Sequence, residues 1–163
     1  MAEPEAGGVT AAASVTLEPV TGANRAAVIA LLVDEAQRAF VASNEISLAQ
    51  AETDPGAWYR SVCADGIPVG FVMLHDETLC EEPNPRGMVF LWRMMIDRHY
   101  QGMGFGRRAI GLLIAHARTR PDATRLYTSW REEPGNAARF YEKPGFETTG
   151  TDEHGEVQAF VAL

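Results

Sequence analysis

Cysteine is scarce: Cys63 and Cys80 are the only two. Two thiols without ligand spacing support neither a disulfide framework nor a structural zinc site. Cys63, inside an alternating apolar run, reads as a small core residue. No apolar stretch approaches the roughly 20 residues that cross a bilayer. The opening MAEPEAGGVTAAAS lacks the basic and apolar segments of a secretory signal. Residues 1–13 are therefore expected to form a flexible lead, and the expected location is cytoplasmic, with no membrane partner. Positive charge is also short, with 14 Lys and Arg against 22 Asp and Glu and a formal net charge of −8. That balance disfavours nucleic acid, whose phosphates need a basic face. It is compatible with a cationic partner drawn in by the long-range field, although plain solubility gives the same composition. The four histidines, His75, His99, His116 and His154, have no metal-ligand spacing, so no metal is expected.

At 163 residues the chain fits one domain, expected over residues 14–163. Val15 to Val20 alternates like a first strand. Asn24 to Val33 spaces Ala27, Val28, Leu31 and Leu32 as one helix face, and Ser43 or Ser47 can start a second helix that runs to about Glu52. Asp54-Pro55-Gly56 breaks the pattern. Ala57 to Ala64 and Ile67 to Leu74 flank Asp65-Gly66 and read as a hairpin, the second strand starting near Val69 because Pro68 cannot donate to a ladder. Asp76 to Gly87 is a polar loop carrying Asp76, Glu77, Glu81 and Glu82. Met88 to Ile96 is a continuous apolar run that suits a strand covered on both faces, with Arg93 inside it. Ile110, Leu113, Ile114 and Ala117 mark a helix that ends before Pro121. Arg125 to Trp130 is a further strand, Asn136 can cap a short helix, and Phe146 to Thr149 pairs with Val157 to Leu163.

Between the apolar run and the long helix lies Gln101-Gly102-Met103-Gly104-Phe105-Gly106. A strand that feeds a glycine-rich turn into a helix N-terminus presents unpaired N–H groups to an anion. Arg107 and Arg108 in the first helical turn oppose the macrodipole, a penalty a bound polyanion would reverse. A tight surface turn with two solvated arginines would have the same sequence. No Lys-Ser/Thr follows the last glycine, which excludes a P-loop. The spacing G-x-G-x-G after a fourth strand also departs from the dinucleotide fingerprint.

Gln101-x-x-Gly104-x-Gly106, between an apolar strand and an amphipathic helix, resembles the acyl-CoA signature of the GNAT N-acetyltransferases. Asn136-Ala137-Ala138-Arg139-Phe140-Tyr141-Glu142-Lys143-x-Gly145-Phe146 resembles the second landmark of that family. Phe40 to Asn44, Ser47 to Ala51, and Leu91 to Asp97 are similar to bacterial spermine/spermidine (diamine) acetyltransferases. The resemblance implies an α/β (α+β) fold. Its mixed, mostly antiparallel sheet would have about six to seven strands, split between the fourth and fifth, with helices on both faces. It implies acetyl-CoA as co-substrate, its pyrophosphate on the amides of Gln101, Gly102, Met103, Gly104, Phe105, Gly106 and Arg107. The pantetheine arm would pair with main chain at Met94, Met95 and Ile96, Asn136 would touch the cofactor, and Tyr141 would stand near the sulfur.

The chemistry of such a transfer needs a neutral amine, donors for the oxyanion and an acid for the departing thiolate. An alkylamine titrates near 10.4 and a thiol near 8.5, so a base must remove a proton and a phenol can return one. Tyr141 is the candidate acid; a buried aromatic with a bonded tip is its structural alternative. The sequence does not single out the base; Glu35, Glu45 and His75 are candidates, and Trp92 with Trp130 can flank the acceptor or pack in the core. The loop acids offer charge to a polyamine. Arg93 requires a carboxylate neighbour, expected to be Asp97 or Glu35. Pro144 stands where an aliphatic residue is common in the family and can shorten the helix that carries Tyr141. The expected function is acetylation of a primary amine of a small molecule, a polyamine among them, by direct attack. An amine-containing antibiotic as acceptor and a non-catalytic acyl-CoA sensor remain alternatives, and a homodimer is expected by family analogy.

Overall fold

The computed structural model describes residues 8–82, 88–131 and 145–163. Its strands are β1 (Val15–Glu18), β2 (Ala57–Ala64), β3 (Ile67–Asp76), β4 (Val89–Ile96), β5 (Arg125–Arg131), β6 (Glu147–Thr151) and β7 (Glu156–Ala162). The helices are α1 (Arg25–Ile29), α2 (Asn44–Thr53) and α3 (Phe105–Ala117), with 3-10 turns at Glu35–Gln37 and Glu77–Leu79. The strands form one seven-stranded sheet in the order β1-β2-β3-β4-β5-β7-β6. Every neighbouring pair is antiparallel except β4 and β5.

Continuous apolar strands form because both faces are covered. On one face α3 inserts Phe105, Ile110 and Leu113 among Val72, Leu74 and Leu126. On the other, Val28 of α1 and Leu48 of α2 meet Phe71 and Met73 of β3 and Met95 of β4. Buried Asn44 links these layers by donating to the Val28 carbonyl at 2.8 Å. Ser43 caps α2 through its side chain, which accepts the Ile46 N–H.

Three expectations change in detail. The first helix stops at Ile29, short of Val33. Leu32 leaves the helix because its N–H donates to Asp97 Oδ2 and its carbonyl accepts from Arg98, both at 2.8 Å. Pro68 lies inside β3, opposite Cys63, tolerated where the register shifts between Val62 and Cys63. The lead expected over residues 1–13 packs in its described part. Val9 and Ala13 are buried, and Arg108 donates to the carbonyls of Ala13 at 2.6 Å and Ala11 at 2.7 Å.

The two hairpins follow their turn chemistry. Asp65 and Gly66 both have positive φ, +48° and +81°, as a two-residue turn with Asp-Gly demands. Between β6 and β7, Asp152 Oδ1 accepts from His154 N–H and Glu156 N–H, each at 2.9 Å.

Candidate active site

The parallel pairing of β4 and β5 covers only Val89 with Leu126 and Phe90 with Tyr127. Thr128 Oγ1 still reaches the Leu91 carbonyl at 3.4 Å, and beyond it no β4–β5 ladder pair follows. From Leu91 to Ile96, about 16 Å of strand, β4 has no ladder partner on that side among the described residues. An unladdered edge inside a sheet is a ready template for an extended chain. Met94, Met95 and Ile96 lie on it while pairing on their other side with Val72, Phe71 and Gly70.

The edge leads into the glycine turn. Gly102 and Gly104 take φ of +79° and +82°, a conformation that suits glycine, and an added Cβ at either would meet nothing within 4 Å. Gly104 is the N-cap of α3 and no side chain caps this helix, whose first turn also holds no acid. Among the described residues, the first amide of this helix with a backbone partner is that of Arg108, which donates to the Gly104 carbonyl at 3.2 Å. The N–H groups of Phe105, Gly106 and Arg107 are those a helix leaves without intrahelical partners, with the dipole behind them. Arg107 is exposed beside them, whereas Arg108 is turned to the N-terminal segment.

Asp97 and Gln101 shape this turn, and the role of Asp97 differs from the one expected. Asp97 is buried and accepts from Leu32 N–H at 2.8 Å, His99 N–H at 2.9 Å and His99 Nδ1 at 2.9 Å. Gln101 Nε2 donates to the Ile96 carbonyl at 2.9 Å and to Gln37 Oε1 at 2.8 Å. The side chain of Gln101 thus ties β4 to the segment that joins α1 and α2. That segment and Met95 enclose a cavity of about 250 Å³, lined chiefly by Leu31, Leu32, Val41 and Ala42, with Arg38 as its charged group.

Further along β4, the register against β3 shifts between Met73 and Leu74. Met73 pairs with Arg93 and Leu74 with Leu91, which leaves Trp92 as the extra residue of a bulge. The bulge turns Trp92 and Arg93 toward α2. Arg93 has neither Asp97 nor Glu35 for a partner. It donates to the Trp92 carbonyl at 3.0 Å and to Gln50 Oε1 at 3.3 Å, and lies 5.3 Å from the centroid of the Trp92 ring. Burial lowers its guanidinium from the ordinary value, and the Glu156 carboxylate pulls the other way. Glu156 is itself held by Ser129 Oγ at 2.8 Å.

Of the acceptor-side candidates, His75 and Trp92 meet edge-on, their centroids 6.4 Å apart. Glu35 is exposed on the 3-10 turn next to Gln37, and Glu45 is exposed in the first turn of α2. Trp130 packs partly with the α3-side core and Trp92 with the α2-side core. Among the loop acids, Asp76 is withdrawn from solvent, with Arg120 Nε 2.7 Å from its carboxylate and the Thr78 N–H and hydroxyl donating to it. Glu81 and Glu82 are exposed. Asn136, Tyr141 and Pro144 lie outside the described residues. Among the described residues no helix is long and apolar enough to cross a membrane, and no three His, Cys, Asp or Glu side chains gather as a metal site.

A split sheet whose free edge runs into an uncapped, glycine-turned helix offers an extended ligand with an anionic end a strand edge and a helix N-terminus. Residues 25–146 match the family described as Acetyltransferase (GNAT) family. The chain belongs to this family and is an acetyl-CoA-dependent N-acetyltransferase. It is 34% identical over 139 residues to a probable spermine N(1)-acetyltransferase of Bacillus subtilis subsp. natto (strain BEST195), covering 84% of this chain and 90% of that one. It is 33% identical, with the same coverage, to the spermine/spermidine N(1)-acetyltransferase of Bacillus subtilis (strain 168). Its fold matches that of the aminoglycoside acetyltransferase AAC(6')-Ib in complex with coenzyme A. The TM-score is 0.73 and the identity 21%, over 91% of this chain and 95% of that one.

Proposed function

We propose that this enzyme moves the acetyl group of acetyl-CoA to a primary amine of a polyamine by direct attack in the cleft between β4 and β5. The observation that carries the reading is the end of β4–β5 pairing at Phe90, with the open edge running to the glycine turn. The names of the relatives at 34% and 33% identity supply the acceptor class, and the net charge of −8 suits a polycation.

In this reading the pyrophosphate lies on the amides of Gln101 to Arg107, and the pantetheine arm extends along Met94, Met95 and Ile96. Asn136 contacts the cofactor. Tyr141 protonates the departing thiolate. Glu35, Glu45, His75 and Trp92 form the acceptor side, where His75 and Trp92 act at close range and the two glutamates act through their field. The enzyme works in the cytoplasm as a homodimer, without nucleic-acid or membrane partners.

Substrate class is tested by kcat/KM for spermidine, spermine, a simple alkylamine and an aminoglycoside. The polyamines should exceed the others by at least about 10-fold, the selectivity that some 1.4 kcal/mol of binding difference provides. An aminoglycoside that outpaces both polyamines would replace the acceptor assigned here. Tyr141→Phe should lower kcat by about 100-fold with acetyl-CoA affinity retained, since general-acid assistance typically contributes that much. A variant with native kcat would make Tyr141 structural.

A further inference from the structure

On the α2 side of the cleft, an imidazole and a carboxylate form a built pair. His75 lies near the end of β3, opposite Ala57 of β2 and Phe90 of β4. Its Nδ1 is 3.1 Å from Asp54 Oδ2. The ring rests on Gly56: a Cβ there would stand 2.6 Å from Cε1 and 2.9 Å from Nδ1. Asp54 Oδ1 accepts the Gly56 N–H at 2.8 Å, so one carboxylate fixes both the ring and the backbone beneath it. The pair remains accessible, His75 being 33% and Asp54 25% exposed.

We propose that His75 takes the proton from the acceptor amine and that Asp54 is the positioning residue that presents it. The inference rests on the amine-acetyltransferase reading above. A carboxylate only accepts, so the Nδ1 facing Asp54 carries the hydrogen and Nε2 keeps its lone pair. An acyl-CoA arm that continues along β4 past Met94 arrives at the Trp92 bulge, and the His75 ring abuts the Trp92 ring. Glu35 and Glu45 have no contact with this pair.

In the step itself the amine nitrogen bonds to the acetyl carbon and gives its proton to His75 Nε2. The C–S bond breaks, sulfur keeps the electron pair, and Tyr141 supplies the proton that makes the free thiol. The products are the N-acetylated amine and coenzyme A. His75 then releases its proton to solvent, and Tyr141 regains one.

The test is steady-state thiol release with spermidine and acetyl-CoA for the native enzyme, H75Q, D54N and the double variant, with thermal midpoints measured in parallel. H75Q should lower kcat by about 100-fold and D54N by at least about 10-fold, with the KM for acetyl-CoA within about twofold of native. The double variant should be no slower than H75Q alone, because residues that act as one unit are not additive. If H75Q fails to fold, D54N alone decides. Its amide oxygen can still accept the Gly56 N–H, leaving its NH₂ toward Nδ1 and forcing the hydrogen onto Nε2. Native kcat in either folded single variant, or losses that add in the double variant, would overturn the proposal alone. A native enzyme that releases no thiol with any amine would overturn the acetyltransferase reading and the proposal together.

Discussion

Gly104→Asp should weaken acetyl-CoA binding by about 100-fold or more, roughly 2.7 kcal/mol, while the thermal midpoint stays near native. The two effects separate because the substitution costs the chain little and opposes the ligand. Gly104 is the N-cap of a helix that no side chain caps, and a Cβ there meets nothing within 4 Å. Aspartate is a preferred N-cap, worth a few tenths of a kcal/mol over glycine, which offsets part of the roughly 1 kcal/mol that a left-handed φ imposes on a side chain. Its carboxylate would then stand at the amides proposed to hold the pyrophosphate and would repel the phosphates. Calorimetric titration with acetyl-CoA beside a thermal melt reads both quantities. Native affinity in a folded variant would move the pyrophosphate off this turn.

Asp97→Ala should destabilise the fold by about 3 kcal/mol, because buried donors left without an acceptor cost about 1 to 3 kcal/mol each and are only partly additive. For a chain of this size that lowers the midpoint by roughly 6 to 12 °C. The carboxylate, 5% exposed, is the acceptor for Leu32 N–H and for both His99 donors. Removing it frees the segment after α1 and the start of the glycine turn at once. Acetyl-CoA affinity should fall as well, because Ile96 and Gln101 sit on either side of the released turn. A denaturant titration that gives less than about 1 kcal/mol would mean that water replaces the carboxylate.

The turn and its flanking elements were legible in the sequence because glycine spacing and helical period are local signals. Gly104 at +82° and the inward face of Ile110 and Leu113 follow from them. The length of α1 was not legible. Leu31 and Leu32 continue a helical period, but Asp97 and Arg98, more than sixty residues away, take the backbone groups of Leu32. The Asp97-Arg98-His99 spacing, an aspartate bonding to the amide two residues on, was the available sign of a turn-holding acid. The surroundings of Arg93 were not legible for a different reason. A bulge at Trp92 decides which way it points, and a bulge is a matter of register that composition does not encode. The Asp54–His75 pair lies between these cases. Once the Asp65-Gly66 turn fixes the hairpin, Ala57 falls opposite His75 and brings the Asp-Pro-Gly breaker to the imidazole.

The most direct test of the central claim is a paired measurement on the native enzyme, following coenzyme A thiol release and acetylated amine with and without spermidine. Release should depend on the amine, with one acetylated amine formed for each thiol. Tight acetyl-CoA binding without thiol release for any amine would contradict it, and would leave a protein that holds acyl-CoA in the split between β4 and β5 without turning it over.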